Sequence, residues 1–331
     1  MERFDVLLEA RPFCVFEDRA MKDLEESGLN IADMRGSGIE KPDFIEAIKN
    51  SDAIICGNDL AIDDNLLDMT PKLKIIAKMG AGLDAIDIEA ATRREIIICN
   101  TPGANRDAVA DHTFALLLSV ARKIIYCDQS LREKRWEHTK IMGVEIWQKT
   151  LGLIGLGAIG QSVALRAKGF RMKLAAYDPF WPEEFAREHE IKKIDTIEKL
   201  LKTSDIISIH SPLTPENKGI INKKAFAMMK SSAFLINAAR GGIVNEDDLY
   251  VALRDKVIAG AGIDVFEKEP PSSSPLLDLQ NVVLTPHTAA FTHEAMNNMS
   301  MGVAEQVIGY FNGKKPEYIV NPQVYKKENI S

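Results

Sequence analysis

An arginine and a histidine stand where two strands of a parallel sheet are predicted to end. Arg240 interrupts the apolar run LINAARGGIV (235–244), and His287 follows Thr285 and Pro286 in LTPHTAA. The carboxyl ends of parallel strands share one edge of an open α/β sheet, and such sheets bind ligands there. A guanidinium can bind an anion bidentately, and an imidazole can transfer a proton near neutral pH. The two residues therefore predict acid–base chemistry on an anionic ligand, although Arg240 alone could also be a solvated charge in a surface turn.

The run GIDVFEKEP, which lies between these two residues in the chain, supplies carboxylates that could act with the histidine. It contains Asp264, Glu267 and Glu269. A carboxylate that hydrogen-bonds to a histidine stabilises the protonated imidazole, which can then act as a general acid. The spacing of the run does not choose between Glu267 and Glu269. Among the other histidines, His112 is predicted to have a packing or interface role rather than a catalytic one.

A glycine-rich turn predicts a dinucleotide site. Gly155, Gly157 and Gly160 lie between the strand LGLI and the helical pattern AIGQSVALRAKGF, and Asp178 ends the next strand. In this context the glycines make a tight turn, admit a pyrophosphate at the helix N-terminus and let the helix pack on the strand. The carboxylate of Asp178 can accept bonds from ribose hydroxyls and repel a 2′-phosphate, which favours NAD over NADP. His210, at the end of a further strand, is expected to line the cofactor cleft.

The composition argues against several classes of protein. The 331 residues are 46% hydrophobic and 27% charged, which is typical of a globular protein with two domains. A net charge of −7 without a basic block argues against nucleic acid as a partner. The four cysteines form no CxxC pair and are expected to be reduced thiols of a cytoplasmic protein, with no metal site. The longest uncharged apolar stretch, HTFALLLSVA, is too short to span a bilayer, so no membrane partner is expected.

Apolar runs alternate with helical patterns in two blocks, which predicts an α/β fold with parallel sheets. A long helical stretch at 106–134 separates the blocks, and a final helix is predicted at about 291–313. The predicted strands are 4–8, 52–56, 73–78 and 95–99 in the first block, and 149–157, 172–178, 205–210, 233–239, 257–264 and 281–287 in the second.

The positions of proline predict a discontinuous domain. Proline-marked junctions lie near 101–103 and 285–287, on either side of the second block. We expect the final helix to return to the first block. The substrate-binding domain would then comprise residues 1–103 and 291–331, and the NAD-binding domain residues 104–290.

Taken together and in this order, GLGAIG, Asp178, NAARGGIV, GIDVFEKEP and TPHTAA resemble the D-isomer-specific 2-hydroxyacid dehydrogenases, over about residues 50 to 320. That family includes 3-phosphoglycerate, D-lactate, glycerate and hydroxypyruvate/glyoxylate enzymes. The resemblance implies a Rossmann-type dinucleotide-binding domain inserted into a discontinuous flavodoxin-like substrate domain. It also implies NAD as cofactor and a homodimer built by the helical segment after residue 105.

The resemblance also implies roles for individual residues. Asp264 and the carbonyl of Ala238 would meet the nicotinamide carboxamide, and the backbone amides of Ala81 and Gly82 would hold the substrate carboxylate. Gly241, with its neighbour Gly242, would let the chain turn and leave room for substrate and nicotinamide. The catalytic residues would be Arg240, Glu269 and His287, of which Arg240 and His287 also bind substrate; the cofactor-binding residues would be Gly155, Gly157, Ala158, Ile159, Gly160, Asp178, His210, Pro212, Ala238 and Asp264.

The substrate is predicted from one loop and one lysine. Family members that act on 3-phosphoglycerate usually carry an arginine after the strand that corresponds to DAIIC, for the phosphate. Here Gly57, Asn58 and Asp59 follow that strand, and Lys78 is a second basic position. These features favour a small 2-hydroxy acid of the glyoxylate, hydroxypyruvate or pyruvate type. The alternative is D-3-phosphoglycerate, because the segments WEHTKIMGVEIWQKTLGLIG and TPGANRDAVADHT look closest to phosphoglycerate-dehydrogenase-like members.

Two further alternatives concern the class of protein. Formate dehydrogenases of this fold have glutamine in place of the glutamate, so Glu269 argues against that activity. An NAD(H)-sensing binding protein would retain the same catalytic set, which therefore does not exclude one. The chain is expected to lack both an added regulatory domain and the partner-binding tails typical of such sensors.

Overall fold

The computed structural model describes residues 4–139 and 141–328. The chain forms two compact units. Unit 1 combines the residues up to Asn105 with those from Phe291 onward, and unit 2 comprises Arg106–Ala290. The assignment of substrate binding to the first and NAD binding to the second stays a prediction at this point.

Unit 1 contains a sheet of five parallel strands in the order β2-β1-β3-β4-β5, the order of flavodoxin-like folds. The central strands are buried along their whole length, which explains why they read as continuous apolar runs. The second strand was not predicted, because its sequence NIAD is polar and only half-buried at the sheet edge. The strands are β1 (Asp5–Leu8), β2 (Asn30–Asp33), β3 (Ala53–Cys56), β4 (Ile75–Lys78) and β5 (Ile97–Asn100).

Unit 2 contains a sheet of seven parallel strands in the order β12-β11-β10-β9-β6-β7-β8. The order reverses between β6 and β9, as in a Rossmann-type sheet, and ligands bind at the carboxyl ends of the strands around such a reversal. The short edge strand β8 was not predicted. The strands are β6 (Thr150–Ile154), β7 (Lys173–Tyr177), β8 (Lys192–Lys193), β9 (Ile206–Ile209), β10 (Phe234–Asn237), β11 (Gly260–Ile263) and β12 (Val282–Leu284).

Helices connect the strands of both sheets, as the βαβ pattern predicts. They are α1 (Arg19–Glu26), α2 (Pro42–Asn50), α3 (Asp64–Asp68), α4 (Ile88–Arg93), α5 (Arg106–Arg122), α6 (Ile124–Arg132), α7 (Ala158–Gly169), α8 (Glu183–Glu188), α9 (Ile197–Thr203), α10 (Lys223–Met228), α11 (Glu246–Arg254), α12 (His293–Phe311) and α13 (Pro322–Glu328). No helix among the described residues is long and apolar enough to cross a membrane.

The predicted helical stretch at 106–134 is two helices. Lys123 lies between α5 and α6 with a φ of 54°, in the left-handed region that ends a right-handed helix. The first helix, α5, packs closely on β11. A Cβ atom built on Gly262 would lie 2.8 Å from Leu116 Cβ, and one on Gly260 would lie 2.8 Å from Val120 Cγ2. The glycines of the strand GAGI therefore let α5 lie directly against β11, one of the strands that end at the carboxyl edge of unit 2 (the carboxyl ends of its parallel strands).

Candidate functional site

A histidine–glutamate pair lies at the carboxyl edge of unit 2. His287 Nδ1 is 2.8 Å from Glu269 Oε2, and both side chains are a little over one third exposed. The other carboxylate oxygen of Glu269 accepts a bond from the amide of Phe266 (3.0 Å). The glutamate is thus oriented by its own loop, and it leaves the second imidazole nitrogen of His287 available for proton transfer.

The structure distinguishes the two glutamates that spacing could not. Glu267 Oε1 accepts the amide of Glu246 at the start of α11 (3.0 Å), and the amide of Glu267 donates in return to the Glu246 carboxylate. Glu267 therefore stabilises a helix N-terminus. Glu269 is the glutamate that contacts His287.

Asp264 fixes the turn that carries His287. Its side chain is fully buried, and it follows β11 directly. The carboxylate accepts bonds from the Thr285 hydroxyl (2.6 Å) and from the amides of Thr288 and Ala289 (2.9 Å each). Its carbonyl oxygen accepts the amide of His287 (2.8 Å).

Burial alone would raise the pKa of the Asp264 carboxyl. The hydrogen bonds from the side chains of His112 and Thr285 and from the two backbone amides outweigh burial and hold that pKa below its ordinary value. The ionised group is therefore stable inside the protein. Because it has no exposed surface, a direct contact with a nicotinamide would require one of its covering groups to move. That contact stays a prediction.

Arg240 follows β10 and is half-buried, and its Nη1 donates to the carbonyl oxygen of Ala239 (2.7 Å). Asn237, the last residue of the strand, holds the loop through Nδ2, which donates to the carbonyl of Arg240 (2.9 Å). Its Oδ1 accepts the amide of Ala239 (3.1 Å). The loop between strand and arginine is thus bound to the end of β10.

The two glycines after Arg240 have different reasons to be glycine. A Cβ on Gly241 would lie 2.0 Å from the carbonyl oxygen of Phe266, so the loop of Arg240 passes directly against the loop that leads to Glu269. The space at Gly241 is filled by backbone and is not left for a ligand, which corrects our expectation for this residue. At Gly242 a Cβ would meet nothing closer than Leu213 Cδ2 at 3.4 Å.

The glycine-rich turn has the geometry that a dinucleotide needs. Gly155 has a φ of +96°, and a Cβ on it would lie 2.6 Å from the carbonyl oxygen of His210. A Cβ on Gly160 would lie 2.3 Å from the carbonyl oxygen of Gly155, so the helix crosses the turn closely. A Cβ on Gly157 would meet nothing within 4 Å, and this residue caps α7 without a side-chain hydrogen bond. The space beside Gly157, at the N-terminus of α7, is therefore open, which suits a bound pyrophosphate.

Other predicted cofactor residues surround this turn. Asp178 Oδ2 accepts the amide of Leu156 (2.6 Å), which places the carboxylate beside the glycine turn. Ala158 is exposed at the start of α7, and Pro212 is exposed after β9. Ile159 packs against a small apolar cluster of Val109, Ala238 and Ala289. Their contacts with a cofactor stay predictions, but the structure brings these residues to the edge where His287 lies.

His210 is held neutral by burial. Its Nε2 is 2.8 Å from Ser208 Oγ, and its Nδ1 is buried without a hydrogen-bond partner among the described residues. Burial lowers the pKa of this imidazole to about 3. The imidazole is therefore neutral at neutral pH, a state that does not suit a general acid.

In unit 1, the loop after β4 carries the predicted substrate-binding amides. Gly80 has a φ of +98°, and its amide donates to Thr101 Oγ1 (2.8 Å). Asn100 Nδ2 donates to the carbonyl oxygen of Ala81 (3.0 Å). These bonds fix the loop to the end of β5, with Ala81 exposed and Gly82 half-buried. Substrate binding by their amides stays a prediction.

Charged side chains lie beside this loop. Lys78 is only 2% exposed, and its Nζ donates to the carbonyl oxygen of Met79 (2.7 Å). Glu9 is also buried and accepts the amide of Gly57 (3.1 Å), and burial raises the pKa of its carboxyl. At the exposed rim, Arg11 Nε lies 3.2 Å from Asp59 Oδ2. An arginine from the loop after β1 is thus paired with the carboxylate in the loop after β3.

Sequence reasoning did not find the contacts that three residues make in these networks, although it predicts a packing or interface role for His112. Thr285, His112 and Arg11 meet partners far away in the chain, at a separation of 173 residues for the contact between His112 and Thr285. His112 lies in the run DHT and Thr285 in the run TPH, and neither run indicates that the two residues are in contact. Among the described residues, no group of three or more histidine, cysteine or acidic side chains could hold a metal ion.

Comparisons with known proteins agree with this geometry. Residues 114–289 match the family model of the D-isomer specific 2-hydroxyacid dehydrogenase, NAD binding domain. The chain is 42% identical over 288 residues to a glyoxylate reductase of Korarchaeum cryptofilum, which covers 86% of each protein. It is 41% identical over 312 residues to a D-3-phosphoglycerate dehydrogenase of Methanocaldococcus jannaschii, which covers 94% of this chain and 59% of that protein. The chain thus spans little more than half the length of its phosphoglycerate dehydrogenase relatives.

A solved structure has the same fold over nearly the whole chain. The glyoxylate reductase of Paecilomyes thermophila superposes with a TM-score of 0.88 at 28% identity, and the match covers 98% of this chain and 100% of that one. The predicted Rossmann-type and flavodoxin-like architecture is confirmed by this likeness and by the two strand orders.

Proposed function

Because the chain belongs to the D-isomer specific 2-hydroxyacid dehydrogenase family, we propose that it interconverts a small D-2-hydroxy acid and its 2-keto acid. The observation that carries the proposal is the 2.8 Å contact between His287 Nδ1 and Glu269 Oε2 at the carboxyl edge of the NAD-binding domain. The pair forms a general acid in one direction and a general base in the other. Glyoxylate, hydroxypyruvate and pyruvate are the expected keto acids.

His287, Glu269 and Arg240 have different roles in the proposed reaction. NADH held at the turn of Gly155, Gly157 and Gly160 would supply a hydride to C2 of the keto acid. Protonated His287 donates its proton to the carbonyl oxygen, while Glu269 stabilises the charge of the imidazolium. Arg240 binds the carboxylate and the carbonyl oxygen of the keto acid and stabilises the developing alkoxide. In oxidation, neutral His287 accepts the proton from the hydroxyl.

The position of Asp178 supports NAD rather than NADP as the preferred cofactor. The carboxylate follows β7 and is bonded to the amide of Leu156, where a ribose 2′-phosphate would meet a negative charge. Two structural relatives are solved with NADPH or NADP. The preference in this chain therefore has to be measured with both cofactors.

Two features of unit 1 favour a substrate without a phosphate. Lys78 is buried and bonded to the main chain, so it does not present its ammonium at the surface. Asp59 places a carboxylate where phosphoglycerate enzymes of the family usually have an arginine, although Arg11 pairs with it. D-3-phosphoglycerate is the second candidate, because relatives with that name are 41% identical to this chain.

We also propose that the protein is a cytoplasmic homodimer. Large apolar side chains are exposed on α6 and on the segment that follows it, including Leu131 (56% exposed), Trp136 (76%) and Met142 (80%). Such a surface is typical of a protein–protein interface. Sedimentation of the protein at several concentrations tests the homodimer, and a monomer at every concentration would contradict it.

The test of the activity is the loss of NADH and NADPH absorbance with a panel of 2-keto acids. The panel contains glyoxylate, hydroxypyruvate, pyruvate, a branched keto acid and 3-phosphohydroxypyruvate. Arg240→Ala runs beside the wild type and is expected to lose about 100- to 1,000-fold in kcat, or about 2.7–4 kcal/mol of transition-state stabilisation. Arg240→Lys is expected to restore little, because lysine lacks the planar fork.

The outcomes separate the candidate functions. Preference for a small keto acid supports the proposal, and preference for 3-phosphohydroxypyruvate by orders of magnitude establishes the second candidate. If NADH binds tightly and no acid of the panel is reduced, the result contradicts the proposal and favours an NAD(H)-sensing binding protein.

A further inference from the structure

A histidine outside the reacting pair contacts the turn that carries His287. His112 lies on α5, and its Nε2 is 2.9 Å from Thr285 Oγ1 and 3.4 Å from Asp264 Oδ1. Its side chain is 21% exposed, while the carboxylate that it approaches is fully buried. The three side chains form a continuous network from the middle of a helix to the residue two positions before His287.

The hydrogen-bond chemistry of the network fixes which atom donates. The Thr285 hydroxyl has one proton, and it lies 2.6 Å from Asp264 Oδ1, which can only accept. The hydroxyl oxygen is then left to accept from His112. His112 must therefore carry a proton on Nε2, whether the imidazole is neutral or charged.

The backbone of the turn has an uncommon conformation at His287. His287 has a φ of 54°, in the left-handed region that a histidine seldom adopts. The carbonyl oxygen of Asp264 accepts the amide of His287. Its carboxylate binds residues before and after His287, namely Thr285, Thr288 and Ala289. His112 connects this arrangement to α5, a helix of 17 residues.

The same helix also contacts the loop of the arginine. Val109, one turn before His112, packs with Ala238 and Ala289. Ala238 lies two residues before Arg240, and Ala289 two residues after His287. The helix α5 therefore contacts both catalytic loops. The contact of Val109 is apolar, and that of His112 with Thr285 is a hydrogen bond.

We propose that His112 is a positioning residue, which sets the orientation of His287 relative to Glu269 and Arg240 by donating a hydrogen bond to Thr285 and Asp264. It does not touch the reacting atoms. The proposal rests on the proposed function, since it assigns His287 as the acid. It predicts that the length and donor ability of the side chain matter, and that its basicity does not.

The experiment compares His112→Leu with His112→Gln. Glutamine keeps an N–H donor at nearly the reach of Nε2, whereas leucine fills similar space without a donor. We expect His112→Leu to lower kcat by about 10- to 100-fold, the effect of a small misplacement of a catalytic group. The KM values for NADH and keto acid should stay within about threefold, and His112→Gln should recover most of the loss.

A matched control separates positioning from general destabilisation. Leu117→Ala removes a buried side chain from the same helix, in the core of unit 2 and outside the network. It should lower the melting temperature at least as much as His112→Leu while leaving kcat within about twofold. The primary isotope effect with deuterated NADH should rise in His112→Leu and not in the control, because the chemical step becomes more rate-limiting.

Hydrogen exchange gives a readout that does not need turnover. The amides of Thr288 and Ala289 should exchange at least tenfold faster in His112→Leu than in wild type, His112→Gln or Leu117→Ala. If the wild type reduces no keto acid, the proposed function fails and the exchange rates still decide the positioning role. Unchanged exchange in His112→Leu, or a glutamine variant as slow in catalysis as the leucine variant, would overturn the proposal.

Discussion

Unit 2 presents interacting side chains at the carboxyl edge of its sheet, whereas unit 1 presents main chain. In unit 2, residues that follow β10, β11 and β12 bond to one another, and the pair of His287 and Glu269 lies on this support. In unit 1, the loop after β4 is held through Gly80 and Ala81, and the charged groups beside it are buried or paired. A proton has to be transferred by a side chain, which must be oriented by others. A carboxylate can be bound by backbone amides alone.

The strongest test of the unit 2 edge is His287→Asn. The variant removes the acid and should lower kcat/KM about 100- to 10,000-fold. NADH affinity, measured by fluorescence, should change little. Glu267→Gln is the matched control, because Glu267 bonds to Glu246 and not to His287. More than a tenth of wild-type activity in His287→Asn would show that another group transfers the proton.

The contact between the two catalytic loops is tested by Gly241→Ala. The added methyl would lie 2.0 Å from the Phe266 carbonyl oxygen, so the two loops must separate. We expect a loss of about 3 kcal/mol in the free energy of unfolding, at the upper end of overpacking effects, measured with urea. Gly242→Ala, where the nearest atom is at 3.4 Å, should lose far less. Equal losses in the two variants would refute the close contact.

Lowering the pH should decrease the contribution of His210 in unit 2 to the free energy of unfolding and increase that of Glu9 in unit 1. His210, whose pKa burial lowers to about 3, stays neutral in the folded state while the unfolded chain takes up a proton near its ordinary value of 6.5. Its contribution to stability is complete above pH 6.5 and falls as the pH drops toward 3, by at most about 2 kcal/mol at pH 5. Burial raises the pKa of Glu9, so its contribution is complete below its ordinary value of 4.5 and decreases as the pH rises through the folded-state pKa.

Urea unfolding at pH 7, 6 and 5 measures the effect of His210. The wild type should lose more stability over this interval than His210→Asn, which has no titrating group at that position. Parallel curves for the two proteins would mean that the imidazole takes up its proton in the folded state as well.

The smallest expected effect concerns the rim of unit 1. Asp59→Asn removes the carboxylate that pairs with Arg11 and leaves the arginine to bind an anion. We expect the kcat/KM ratio of 3-phosphohydroxypyruvate to glyoxylate to rise about tenfold, or roughly 1.4 kcal/mol. Adding Arg11→Gln should cancel the rise. An unchanged kcat/KM ratio in Asp59→Asn would mean that Arg11 and Asp59 do not contact the phosphate end of the substrate.

Sequence patterns predicted the strands that form apolar runs and missed the two that are polar. Apolar runs such as DAIIC and AFLINAA contain β3 and β10, whereas the polar edge strands β2 and β8 carry no such signal. The break at Lys123 was also missed, because the apolar periodicity continues through it.

The candidate site divides in the same way. Residues in contiguous motifs, such as Gly155 and Gly157, could be placed in a strand-to-helix turn from their neighbours in the chain. The partners of Asp264 could not, because they come from α5 and from the loop after β12 and meet only in the folded sheet. The orientation of Lys78 depends likewise on burial, which its sequence context does not reveal.

The discontinuity of unit 1 has a consequence during synthesis of the protein. Unit 2 is one continuous segment, so it can fold as soon as Ala290 has left the ribosome. The helix α12, which packs on α1 and on β4 and β5, is made only afterwards. At about 5–20 residues per second, the first 105 residues wait about 10–40 s while unit 2 is translated. During that interval the strands that α12 will cover are exposed on the nascent chain, where exposed apolar surface favours aggregation.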